Sequence, residues 1–238
     1  MIEIIVDIFI IIFIYVFPIV IFIKYFSKTK HNKYMNFLYI VIYAVGVIIT
    51  SNFMDNLFPF IFIILSILIL KNNIDENDYD KYSFSIRRVN IIKAAEYFIV
   101  FYTMNIVAAF IFQWIFLKFN IDVQQQEVVS DMEKMKLLSI IKYIPVSVIF
   151  APILEEFIFR FILFEKILKG KIGLYASCIV SSMLFSTLHY NLKALPVLFI
   201  LAVENCYLIH KKGFWYSVLN HSLFNFITVA AILSDKIK

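Results

Sequence analysis

The sequence predicts an all-α fold, a polytopic transmembrane helical bundle of about eight spans, and three observations carry that expectation. Hydrophobic residues make up 62% of the 238 residues and charged residues only 16%, against roughly 45–50% and 25% in soluble domains. Mean hydropathy is +0.87. The apolar residues also fall into runs near the roughly 20 residues that a helix needs to cross a bilayer, separated by short polar stretches.

Taken in order, span 1 covers about residues 4–23, and a basic loop with Lys24, Lys28, Lys30 and Lys33 follows. Span 2, about 34–50, leads through a polar turn (Asn52, Asp55, Asn56) into a short span 3, about 57–70. A connector over 71–90 reads as a solvated loop, with an acidic patch (Asp75, Glu76, Asp78, Asp80) and then Arg87 and Arg88. Span 4 is about 91–117, and a polar loop runs from Lys118 to Lys136. Span 5, about 137–165, carries Pro152, which predicts a kink because proline removes a helical hydrogen bond. Spans 6, 7 and 8 are about 172–189, 195–209 and 214–233. The chain divides into residues 1–136, holding spans 1–4, and a helical core over 137–238, the two forming one integrated membrane domain.

The net charge of +5 does not point to nucleic acid, because the Lys and Arg residues sit mainly in short loops between spans. With the N-terminus outside, 14 of the 22 basic residues fall on the inner side and 6 on the outer, with Lys142 and Arg160 inside span 5. The positive-inside rule therefore predicts eight spans with both termini outside. Glu3 and Asp7 stand where a signal peptide has its basic region, so the first span is read as a retained anchor. Cys178 and Cys206 are expected to be two buried thiols. The richness in Ile, Lys, Asn, Phe and Tyr suits an AT-rich genome, hence a bacterial plasma membrane.

Within this apolar background, Glu155, Glu156 and Arg160 stand out. An ionisable group at the bilayer centre costs at least about 2.5–3.5 kcal/mol and is by default a functional-site candidate. Glu156 and Arg160 form an i, i+4 pair with the acid first, the favourable order. Glu155 is turned about 100° away and is left for another partner. The short basic connection Lys169-Gly170-Lys171 folds spans 5 and 6 into a hairpin. Glu155 and His189 each lie about 17 residues, or roughly 25 Å of helix, from its bend and so share a depth. His221 and Asn225, an i, i+4 pair on span 8, enter from the same inner side through Lys211-Lys212-Gly213 and reach a similar level. Phe185 shares a face with His189 and is read as packing.

Such a pocket suits water activation, with Glu155 as general base beside His189 and with His221 and Asn225 as donors to an oxyanion. Structural alternatives exist at each place: a Glu–Arg pair can simply join helices, and a lone His or a His–Asn pair can clasp them. Convergence at one depth favours chemistry, because clasps need not converge. No cofactor is expected. Zinc on Glu155, His189 and His221 is the competing chemistry, although HExxH is absent and each ligand comes from a different helix.

The patterns EExxxR (Glu155, Glu156, Arg160), FxxxH (Phe185, His189) and HxxxN (His221, Asn225) occur in that order. In them the chain resembles, over about 137–233, the CPBP family of CAAX-protease and bacteriocin-processing (Abi) intramembrane endopeptidases. The resemblance implies a glutamate-dependent protease in which Glu155 and His189 activate water, His221 and Asn225 form the oxyanion site, and Glu156 and Arg160 orient the first motif. One departure is Glu204-Asn205, where the family often has small residues; Glu204 is read as pairing with Lys142 or another polar neighbour rather than entering the pocket.

The resulting expectation is an intramembrane endopeptidase acting on a membrane-associated or secreted-peptide precursor, in pheromone or bacteriocin maturation or in self-immunity. Its partners are that substrate and membrane lipid, with no nucleic acid. The alternatives are a noncatalytic immunity or scaffold protein of the same fold and a small transporter, although the paired half-helices or repeat of a transporter are not found.

Overall fold

The computed structural model describes residues 2–29, 32–50, 54, 56–73, 82, 84–124 and 126–237, and among these all regular structure is helical. Nine helices of eight or more residues account for most of them, with a short 3-10 helix at Ile86–Arg88: α1 (residues 2–29), α2 (Lys33–Thr50), α3 (Leu57–Asn73), α4 (Ile91–Lys118), α5 (Glu127–Lys134), α6 (Leu137–Ile172), α7 (Leu174–Thr187), α8 (Leu195–Lys211) and α9 (Phe214–Ile237). Each predicted span coincides with one of them, and α5 adds a short helix in the loop before span 5. Asn52, Asp55 and the acidic patch Asp75, Glu76, Asp78 and Asp80 lie outside the described residues.

Among the described residues, five helical stretches are long and apolar enough to cross a membrane: Asp7–Lys28, Lys33–Thr50, Ile91–Lys118, Leu137–Ile172 and Phe214–Ile237. Leu57–Leu70 and Leu174–Thr187 are shorter apolar helices, and α8 has 17 residues interrupted by Glu204 and Asn205. Ile48, Phe110 and Leu117 are each about 70% exposed on the outer helices, a surface that fits hydrocarbon and not water.

The bundle is organised around α6. All ten side chains from Glu156 through Glu165 are buried, and a helix buried all round its circumference belongs in the centre of a protein. It packs against α3, α7, α8 and α9; α4 lies on α8 and α9, α1 on α3, and α2 on α1 and α3. The helix runs through Pro152 without a break. Val146–Phe150, between Pro145 and Pro152, is wound as a π-helix. Proline lacks an N–H and crowds the carbonyl four residues back, and i to i+5 winding is one way a helix absorbs both defects. A second π segment, Glu156–Leu168, starts at the charged motif; π winding is rare and is frequent at functional sites.

The hairpin between α6 and α7 turns at Gly173, just past the predicted connection Lys169-Gly170-Lys171, which is helical. Gly173 has φ 79° and ψ 172°, a region essentially open only to glycine. The turn therefore sits one residue past the midpoint of Glu155 and His189, which preserves the predicted match in depth.

The connector before α4 is not wholly solvated. Tyr82 and Phe84 are only 4% and 3% exposed. The Phe214 N–H donates to the Tyr82 carbonyl at 2.7 Å, and Trp215 Nε1 donates to the Phe84 carbonyl at 2.7 Å. The Tyr82 hydroxyl reaches Glu165 Oε2 at 3.0 Å, where Lys169 Nζ (2.8 Å) and His210 Nδ1 (2.7 Å) also bind that carboxylate. The segment closes the end of the bundle at which α6 and α8 finish and α9 begins.

Candidate active site

Glu155 and Glu156, adjacent in sequence, occupy different environments. The Glu156 side chain is fully buried, whereas that of Glu155 is 17% exposed and lines a cavity of about 700 Å³. His189, at the end of α7, and His221 and Asn225, on α9, line the same cavity. The helices thus bring the four predicted chemical residues together, with Glu156 and Arg160 behind them.

Glu156 is the hub of a buried network. Its Oε2 lies 3.3 Å from Arg160 Nε, and its Oε1 accepts from His221 Nδ1 at 2.9 Å and from Asn205 Nδ2 at 3.0 Å. Asn205 Oδ1 in turn accepts from Asn220 Nδ2 at 2.8 Å. The Arg160 guanidinium lies 4.1 Å from the centroid of the Phe185 ring, so the cation is balanced by a carboxylate and by an aromatic face. Phe185 does more than pack: its ring also meets His189 at 4.8 Å and His221 at 5.7 Å between centroids.

The hydrogen bonds assign the imidazole tautomers. A carboxylate only accepts, so the bond to Glu156 makes Nδ1 the protonated nitrogen of His221. By the same logic His189 Nδ1 donates to the Phe185 carbonyl at 2.9 Å. Both rings therefore keep Nε2 for other partners. That of His221 stands 3.7 Å from Glu155 Oε2, close enough for a proton to pass through one intervening group. Neutral His221 offers a lone pair at Nε2 and becomes a donor there only on taking a second proton, which refines its expected oxyanion role. Asn225 gives one amide hydrogen to the Ser147 carbonyl at 2.9 Å, and a second amide hydrogen remains.

Three contributors were not singled out from sequence for this site. Asn205 was noted only as a departure from the family pattern, Asn220 is the neighbour of His221, and Ser147 acts through its backbone. A run of amides in apolar helices at 205 and 220 was the available signal. Glu204 does not pair with exposed Lys142; its Oε2 accepts from Asn105 Nδ2 at 2.8 Å, so it belongs to a separate cluster, as anticipated. Cys178 and Cys206 are free thiols, Cys206 buried and Cys178 half-buried. Among the described residues no three His, Cys, Asp or Glu side chains stand together as a metal-ligand set.

No curated protein and no solved structure matches the chain. The family model described as Rce1-like, type II CAAX prenyl endopeptidase, matches residues 137–227, and over this segment, which holds Glu155, Glu156, Arg160, Phe185, His189, His221 and Asn225, the chain is similar to that family.

Proposed function

We propose that this protein is an intramembrane endopeptidase that hydrolyses a peptide bond of a membrane-associated or secreted-peptide precursor with a water activated by Glu155. The observation that carries the reading is the lining of one cavity by Glu155, His189, His221 and Asn225. A water on Glu155 Oε2 loses its proton to that carboxylate, with the His189 lone pair helping to hold it, and attacks the scissile carbonyl. The proton passes from Glu155 to His221 Nε2. With Nδ1–H held by Glu156, His221 is then an imidazolium whose Nε2–H faces the developing oxyanion, and the free amide hydrogen of Asn225 supplies a second donor. His221 next gives its proton to the departing amine. No acyl-enzyme forms in this scheme: the Ser186 hydroxyl donates to the Met183 carbonyl at 3.1 Å and has no hydrogen bond to an imidazole among the described residues.

The bacterial setting suggested by composition makes maturation of an exported peptide, such as a pheromone or bacteriocin, or self-immunity to one, the biological role. The test is processing of a candidate precursor in membranes carrying the wild type, Glu155→Gln or His189→Ala. Loss of the processed product in both variants is expected; full processing by both sinks the protease reading.

A further inference from the structure

A second cavity, of about 570 Å³, lies between α4 and α8 and shares no lining residue with the first. We propose that it binds one anionic glycerophospholipid, with the phosphate at Lys93 and Lys212 and an acyl chain along Val100, Met104 and Val203.

The groove is graded from charge to hydrocarbon. Lys93 stands in the first turn of α4 and Lys212 follows the last residue of α8, and the two helices run antiparallel there. The Tyr216 hydroxyl binds the Asn90 N–H at 3.0 Å, and Lys212 Nζ lies 5.4 Å from the centroid of the Tyr97 ring, so both lysines belong to one mouth. Tyr97 and Tyr207 flank it with ring centroids 6.3 Å apart, the residue type enriched where headgroups meet hydrocarbon. From Lys93 to Met104 the helix descends about 16 Å, and from Lys212 to Val203 about 13 Å. Glu96 is the one carboxylate in the lining at the mouth, against two ammonium groups. A cationic mouth between helices above an apolar channel complements a phosphate headed by acyl chains.

A buried polar group also lines the groove, below its mouth. Glu204 is 5% exposed and lines the groove; Asn105 satisfies its Oε2, but Oε1 has no hydrogen-bond partner among the described residues.

The experiment measures melting of the purified full-length protein in neutral detergent as phosphatidylglycerol or phosphatidylcholine is added. Phosphatidylglycerol is expected to raise the melting temperature saturably, and phosphatidylcholine is not. The Lys93→Gln, Lys212→Gln double variant is expected to melt normally without lipid but to need about 25-fold more phosphatidylglycerol, about fivefold per interfacial lysine. A Lys28→Gln, Lys33→Gln control keeps the wild-type response. Equal responses to both lipids, an unshifted double variant, or a control that loses the response equally would each overturn the proposal. Should the double variant melt low without lipid, direct counting of phosphatidylglycerol retained through purification decides: wild-type retention in that variant overturns it.

Discussion

Replacing Arg160 by Met separates the support role of the Glu156–Arg160 pair from chemistry. Both side chains are fully buried and Arg160 Nε is 3.3 Å from Glu156 Oε2, so at an effective dielectric of 20 their attraction is about 5 kcal/mol. The contact of the guanidinium with Phe185 adds about 2 kcal/mol when desolvated. Against this, Met removes the cost of burying the cation, so the net loss is the about 3–5 kcal/mol typical of orphaning one member of a buried pair. For a chain of this size that lowers the melting temperature by about 6–20 °C. Adding Glu156→Gln removes the orphaned charge while keeping an oxygen for Asn205 and His221, and stability should return to within about 1–2 kcal/mol of the wild type. Activity should not return: without a carboxylate on Nδ1, His221 loses the charge that stabilises its imidazolium, a change worth about 10²–10⁴ in rate. Melting and peptide cleavage measured on the same detergent-purified samples test both halves. An Arg160→Met protein that melts within about 2 °C of the wild type, a change of at most about 1 kcal/mol, would refute the electrostatic argument, and a double variant with full activity would refute the role given to Glu156.

Asn205→Leu removes a donor from Glu156 and an acceptor from Asn220, so it should cost about 1–3 kcal/mol in melting experiments; a neutral result would mean that the amide chain is dispensable. Gly173→Ala should destabilise by about 1–3 kcal/mol because its backbone conformation is nearly glycine-only. Gly170→Ala, in a helix with open space around the new methyl group, should be neutral or stabilising by up to about 1 kcal/mol, and equal effects at the two sites would remove Gly173 from its place at the bend. Treatment with a chelator should leave cleavage unchanged; a stable loss restored by zinc would replace the water-activation scheme by a metal-assisted one on Glu155, His189 and His221.

The helices were legible because each apolar run is bounded by charged or amide residues, so α2, α3 and α4 begin and end within a few residues of the expected spans. Depth matching was legible too, since helix rise and a hairpin bend suffice to bring Glu155 level with His189. Helical winding was not: the π segments of α6 depend on how prolines and neighbouring helices compete for the same backbone groups. The clustered basic residues placed the bend at Lys169-Gly170-Lys171, but the backbone angle required at Gly173 has no signature in charge. The burial of Tyr82 and Phe84 was hidden by the acidic residues before them, which make the whole connector look solvated. At the site, the residue types and the pairing of Glu156 with Arg160 were readable from spacing, because i, i+4 neighbours meet within one helix. The partners that fix His221 were not, since Glu156 reaches it from 65 positions away and the tautomer follows from that one contact.

The central claim, that Glu155 performs the chemistry, is tested most directly by the cleavage rate of wild-type and Glu155→Gln protein reconstituted in vesicles with a fluorogenic precursor peptide, both checked for equal melting. Removal of the base predicts a loss of at least about 10²-fold in rate with melting retained. Wild-type cleavage by a folded Glu155→Gln protein would contradict the account.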